Sequence, residues 1–154
     1  MELVLHDITE TLAFGELLGK NLSGGEVIEL VGDMGSGKTT FVKGVARGLG
    51  VDDDVQSPSF TISRTYTARD DLELHHYDFY RLPDPGIMQH DLAESAGDSR
   101  AITIVEWAQT VADILPTDRT KLVFRVGDEQ QRLVTLQSKE SGVKEAYATW
   151  LENR

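Results

Sequence analysis

Lys38, Thr39, Asp78 and Glu106 are the side chains whose types and settings could do chemistry on a phosphate chain. Lys38 and Thr39 close the run Gly32-Asp33-Met34-Gly35-Ser36-Gly37-Lys38-Thr39, followed by Thr40. The run fits G-x-x-x-x-G-K-[ST], the phosphate-binding loop of P-loop nucleotidases. In such a loop the glycines let backbone N–H groups turn inward as an anion nest, and the next helix adds its positive dipole end. The lysine reaches the β- and γ-phosphates, and the threonine hydroxyl is placed to ligate Mg²⁺. A glycine turn before an ordinary helix is the plainer reading, but every motif position is filled. The expected ligand is a nucleoside triphosphate.

Glu106 follows the apolar run Ala101-Ile102-Thr103-Ile104-Val105. An apolar strand delivering a carboxylate beside the loop threonine is the setting of a Walker-B acid. Glu106 could hold Mg²⁺ directly or through water, or orient the attacking water. Trp107, next in line, reads either as core or as part of the site. Asp78 stands at the end of a second strand, where ligands gather in open α/β sheets; its plainer roles are a loop cap or a partner for Arg81. His75 and His76 are adjacent, so in a strand they face opposite sides and cannot easily share one metal ion. Ser57-Pro58-Ser59-Phe60-Thr61 is either a switch-like hydroxyl cluster facing a γ-phosphate or a Ser-Pro turn.

These groups need a frame. Residues 26–31 read as a strand and 39–49 as a helix with Phe41, Val42, Val45, Ala46 and Leu49 at helical spacing, the flanks a phosphate loop requires. Residues 7–22 predict an earlier helix: Asp7 as N-cap with Glu10 three residues on, then Phe14, Leu18 and Leu22 on one face. Thr11 lies in its first turns, a surface or capping residue by pattern alone. Residues 62–67 and 72–77 predict a hairpin, and 84–95 a helix with Pro85 at its first position. A short helix is expected over 107–115, stopped by Pro116. Residues 121–126 and 132–137 predict a second hairpin, and Val143, Ala146, Tyr147, Trp150 and Leu151 a C-terminal amphipathic helix.

Composition narrows the class. A chain of 154 residues suits one domain, 1–154, with no linker, repeat or low-complexity segment. It has no cysteine, which excludes disulfides and thiolate metal sites. The N-terminus lacks the basic and apolar regions of a signal peptide, and no apolar run reaches membrane-spanning length. A soluble cytoplasmic protein, off the membrane, is expected. Acids outnumber bases 26 to 15, giving a net charge of −11. Direct tRNA or DNA binding is disfavoured, because such proteins usually show a basic face. ATP is not, since nest, lysine and Mg²⁺ act at contact range while longer repulsion is screened over roughly 8–10 Å.

Together these segments resemble the TsaE (YjeE-type) family, the bacterial ATPase of tRNA threonylcarbamoyladenosine biosynthesis. The resemblance runs in order through Glu10-Thr11, the loop from Gly32 to Phe41, Ser57-Pro58-Ser59-Phe60-Thr61, His76-Tyr77-Asp78-Phe79-Tyr80-Arg81-Leu82 and Val105-Glu106-Trp107. The loop alone identifies a superfamily; His-x-Asp-x-Tyr-Arg-Leu followed by Glu-Trp is much more specific. Ser59 stands where the family more often has Thr, and residues 85–92 depart from its usual acidic-aliphatic helix. The resemblance implies an α/β fold, a P-loop NTPase-like three-layer domain with a central mixed (parallel and antiparallel) sheet. It implies ATP and Mg²⁺, with Thr39 and Glu106 at the metal. Asp33, Met34, Gly35, Ser36, Gly37, Lys38, Thr39 and Thr40 would hold the phosphates, and Asp78 would lie in the catalytic region. Thr11 becomes a nucleotide contact and Trp107 a functional residue. The implied partners are the TsaD catalytic subunit and TsaB, with tRNA met only through them.

No convincing arginine finger is found within the chain, Arg64 and Arg81 being candidates by position only. Arginine supplied by a partner can be worth about 10³–10⁵ in rate, so weak ATPase activity alone and stimulation by partners are expected. Two alternatives are a nucleotide-dependent binding switch without useful hydrolysis and a small-molecule kinase. The kinase would need a basic lid that this short chain does not show. A guanine-reading Asn/Thr-Lys-x-Asp segment is also missing, which favours adenine.

Overall fold

The computed structural model describes residues 1–58, 62–80, 84, 86 and 88–153. Seven strands form one sheet in the order β1-β7-β6-β2-β5-β4-β3: β1 (Glu2–Leu5), β2 (Val27–Val31), β3 (Ser63–Thr67), β4 (Glu73–Asp78), β5 (Ala101–Glu106), β6 (Thr120–Val126) and β7 (Arg132–Gln137). The helices are α1 (Ile8–Asn21), α2 (Lys38–Gly48), α3 (Met88–Ala96) and α4 (Ser141–Glu152). β6, β2, β5 and β4 run parallel, and the edges are closed by antiparallel pairs. The expected α/β fold with a mixed sheet is found.

The two central strands are apolar because both faces are covered. Every residue of β5 is buried, as are the first four of β2. On one face Ile28, Leu30, Leu74, Ile102 and Ile104 join α1, α2 and α4 in the larger core. On the other, Val27, Tyr77, Phe79 and Val105 pack with Leu92 of α3 and with Ala108, Val111 and Leu115. Side chains alternate along a strand, so His76 and Asp78 share the face of Leu74, and Glu106 that of Ile104. All three therefore look toward the layer containing α2. The Ser95 and Thr103 hydroxyls, 2.6 Å apart, tie α3 to the opposite face.

α1 and α2 cross through four glycines. A Cβ on Gly15 would stand 2.4 Å from the Phe41 carbonyl oxygen, and one on Gly44 2.3 Å from that of Leu12; Gly19 and Gly48 meet the partner backbone as closely. This contact sets the start of α1 against the start of α2. α4 lies on α1, with Trp150 edge-on to Phe14 at 5.4 Å.

Several expectations need correction. β1 was not foreseen; its alternation of exposed and buried residues is only four residues long. Ile62 does not open β3: its φ of 70° lies in the left-handed region, and the strand begins at Ser63. Residues 107–115 hold a 3-10 turn at Ala108–Thr110 and further i→i+3 bonds, not an α-helix, because Trp107 enters with φ 56°. α3 begins at Met88, after a turn in which the Asp84 carboxylate accepts from the Gly86 N–H; Pro85 is outside the described residues. The Asp7 cap on α1 forms as expected, but the Glu10 carboxylate is engaged with the His6 N–H and ring.

Candidate functional site

β2 ends at Val31, and the chain turns through the glycine loop into α2 at Lys38. The turn needs φ of 79° at Gly35 and 101° at Gly37, conformations that other residues rarely adopt. β4, β5 and β6 run parallel to β2, so their carboxyl ends gather at the same edge. The result is a cavity of about 330 Å³ lined by Met34, Gly35, Gly37, Lys38, Thr39, Thr40, Ser57, Asp78, Glu106, Trp107 and others. A Cβ on Gly37 would project between Arg132, at 3.6 Å, and the Thr11 methyl, at 3.9 Å, where a phosphate chain could lie.

The buried ends of β4 and β5 supply the charge. Asp78 and Glu106 are register partners on neighbouring strands, both nearly enclosed. Glu106 Oε2 lies 2.6 Å from His76 Nε2, and its Oε1 lies 3.8 Å from Lys38 Nζ. Lys38 also donates to the Gly32 carbonyl and sits over the Trp107 ring, 4.5 Å from its centre. Trp107 in turn meets Tyr80 at 4.7 Å, so an aromatic wall runs from the lysine to an exposed rim.

The Asp78 carboxyl titrates above its ordinary value. Burial is the largest cause and the Glu106 charge adds to it, opposed by the Tyr80 N–H bond to Oδ1. A carboxylate made more basic in this way accepts a proton more readily than an ordinary one. The acceptor of the Tyr80 N–H is the loop-cap role foreseen for Asp78; Arg81 falls outside the described residues.

Not every expected residue faces the cavity. Asp33 is exposed and lines a smaller, adjoining cavity with Glu29, Trp107 and Gln109. The Ser36 hydroxyl is buried without a hydrogen-bond partner among the described residues. Thr11 does line the cavity, although it is buried and its hydroxyl donates to the Asp7 carbonyl. Ser57 lines the cavity, while Ser59, Phe60 and Thr61 lie outside the described residues, as does Arg81. Arg64 is exposed on the edge strand β3.

One arginine that the sequence pattern did not single out does reach the site. Arg132, the first residue of β7, lines the cavity: Nε donates to the Ser36 carbonyl at 2.9 Å and Nη2 to that of Gly35 at 3.3 Å. Nη1 donates to the Glu129 and Gln131 carbonyls. A nest that points its N–H groups inward leaves carbonyls pointing out, and Arg132 satisfies two of them. Four of its five donors are thus committed to the backbone, unlike those of a mobile finger. Ile8, Tyr80 and Gln130 are further lining residues that pattern reasoning missed.

The site's oxygen donors, the Thr39 hydroxyl and the Glu106 and Asp78 carboxylates, are hard ligands of the kind Mg²⁺ takes. Among the described residues no three His, Asp or Glu side chains gather to hold a metal unaided. No described helix is long and apolar enough to cross a membrane.

Comparison with known proteins gives a consistent result. A family model described as threonylcarbamoyl adenosine biosynthesis protein TsaE matches residues 5–134. The tRNA threonylcarbamoyladenosine biosynthesis protein TsaE of Bacillus subtilis is 38% identical over 126 residues, covering 80% of this chain and 77% of that one. Its counterpart from Treponema pallidum is 33% identical, covering 88% and 99%. That from Aquifex aeolicus is 36% identical, covering 90% and 96%. A crystal structure of Bacillus subtilis YdiB superposes with a TM-score of 0.75 at 29% identity, covering 99% of this chain and 95% of that one.

Proposed function

This chain belongs to the TsaE family of tRNA threonylcarbamoyladenosine biosynthesis, and we propose that it serves there as an ATP-binding, ATP-hydrolysing subunit. The observation that carries this reading is the meeting of the glycine nest, Lys38, Thr39, Asp78 and Glu106 around one cavity. In this reading the loop N–H groups and Lys38 bind the phosphates. Lys38 exchanges its contacts with Gly32, Glu106 and Trp107 for the β- and γ-oxygens. The Thr39 hydroxyl and Glu106 would hold Mg²⁺ together with the substrate's own oxygens, and the ion would neutralise charge on the β- and γ-phosphates.

Asp78, with its raised affinity for protons, accepts a proton as the water oxygen bonds to the γ-phosphorus and the bond to the bridging oxygen breaks. Arg132 holds the loop in shape and leaves the stimulating charge to come from a partner. Hence slow turnover is expected alone, and faster turnover with TsaD-type and TsaB-type proteins. tRNA would be met through those partners, in keeping with the net charge of −11. The test is ATPase activity of the purified chain, of each partner alone and of the reconstituted mixture. Turnover in the mixture well above the sum of the separate rates supports the reading. An additive rate, or full turnover by the chain alone, contradicts it.

A further inference from the structure

We propose that His76 is a positioning residue for Glu106, holding one carboxylate oxygen so that the other is presented to the metal and the reacting water. The metal part of this statement rests on the function proposed above; the hydrogen bond does not. His76 is fully buried on β4, one strand away from Glu106. Its Nε2 meets Glu106 Oε2 at 2.6 Å, while Nδ1 has no hydrogen-bond partner among the described residues.

The tautomer follows from these contacts. A carboxylate oxygen only accepts, so Nε2 must carry the proton. The opposite tautomer would set two lone pairs against each other and bury an unpaired N–H. With the proton on Nε2, the remaining cost is one orphaned buried acceptor.

Glu106 needs such a donor. It is 3% exposed, and the nearby cation, Lys38, stands 3.8 Å from Oε1, beyond hydrogen-bond reach. When Lys38 turns to phosphate, the His76 Nε2–H remains as a hydrogen-bond donor to the buried carboxylate. A carboxylate free to rotate could present either oxygen, but the short bond to Oε2 selects Oε1. Outer-shell donors of this kind, removed, cost about 10–100-fold in metal affinity or activity.

The experiment has two arms on the full chain. In the first, nitrogen NMR of the nucleotide-free protein reads the His76 ring. Protonated Nε2, bare Nδ1 and a displaced Nε2–H proton signal in Glu106→Gln are expected. A proton on Nδ1, or a signal indifferent to Glu106→Gln, overturns the proposal. In the second, Mn²⁺ standing in for Mg²⁺ is titrated in the presence of ATP, and nucleotide binding is measured separately in chelator. His76→Leu should raise the metal requirement about 10–100-fold with chelator-state binding retained, and His76→Gln should recover part of the loss. An unchanged metal requirement in both variants overturns the proposal. Should His76→Leu fail to fold, His76→Gln and the NMR arm decide. A parent chain that binds no ATP would refute the proposed function instead, leaving the NMR arm to judge the His76–Glu106 bond.

Discussion

Arg132→Ala should weaken nucleotide binding by distorting an unsupported loop, without touching the reacting groups. Two of the guanidinium bonds cross to the loop, one at 2.9 Å to Ser36 and a longer one at 3.3 Å to Gly35; the other two stay within its own hairpin turn. A hydrogen bond to a charged group is worth about 1.5–3 kcal/mol when well made and sheltered. Arg132 is half-buried and the second bond is long, so solvent reduces the pair to about 1–2 kcal/mol. If the loss falls on preorganisation of the nest, affinity drops about 5–30-fold. Calorimetric titration with ADP and with ATP, each with and without Mg²⁺, reads this directly. The fall should be similar in all four titrations, because the loop cradles the phosphates that both ligands share. Arg132→Lys should recover little, since an ammonium cannot reproduce the planar fork. Unchanged affinity, or a loss confined to ATP with Mg²⁺, would refute the loop-support reasoning and mark Arg132 as a group acting on the γ-phosphate.

Three further outcomes are expected. Gly44→Ala forces a Cβ to 2.3 Å from the Leu12 carbonyl oxygen; overpacking costs about 1–3 kcal/mol against about 0.5–1 kcal/mol gained in helix preference. The obstructing atom is backbone, so the cost is about 3 kcal/mol and the net loss about 2–2.5 kcal/mol. Thermal unfolding should therefore fall by about 4–10 °C at about 2–4 °C per kcal/mol, and an unchanged or higher midpoint would show that the helices can separate freely. Asp78→Asn should gain stability relative to the parent as pH rises. The raised carboxyl makes the folded state the tighter proton binder, so the parent loses stability through the window above the ordinary carboxylate range. Urea unfolding at acid and neutral pH checks the sign, and a gain larger in acid would contradict it. In a Trp150→Phe background, ATP should change Trp107 emission as Lys38 leaves the ring, and Lys38→Ala should abolish the change; emission indifferent to ATP would refute the lysine movement.

Much of the site was legible because it is built from local signals. A glycine loop between an apolar strand and an amphipathic helix announces itself, and an acid after a fully apolar strand does nearly as well. Asp78 was suggested by its place at a strand end. Arg132 was not legible: it is one arginine at the start of an edge strand, and nothing nearby in sequence points to the loop 96 residues earlier. Only the strand order, with β6 parallel to β2, brings that hairpin turn beside the nest. His76 was weighed as a metal ligand, whereas its partner is Glu106, 30 residues on and reachable only once β4 and β5 are known to pair. The missed β1 and the overread helix at 107–115 share a cause. Four residues give too little alternation to recognise, and a left-handed Trp107 leaves no trace in apolar spacing. The glycines of α1 and α2 carry no signal in apolar spacing; only the helix crossing shows their use.

The central claim is that this cavity both binds ATP and hydrolyses it through Asp78. Its most direct test is to measure, on one preparation, Mg²⁺-ATP binding and phosphate release in the reconstituted mixture for the parent and for Asp78→Asn. The account predicts that Asp78→Asn binds ATP as the parent does while phosphate release falls by at least about 100-fold, the scale of a lost general base. Equal phosphate release from the two proteins, or a parent that binds no ATP, would contradict it.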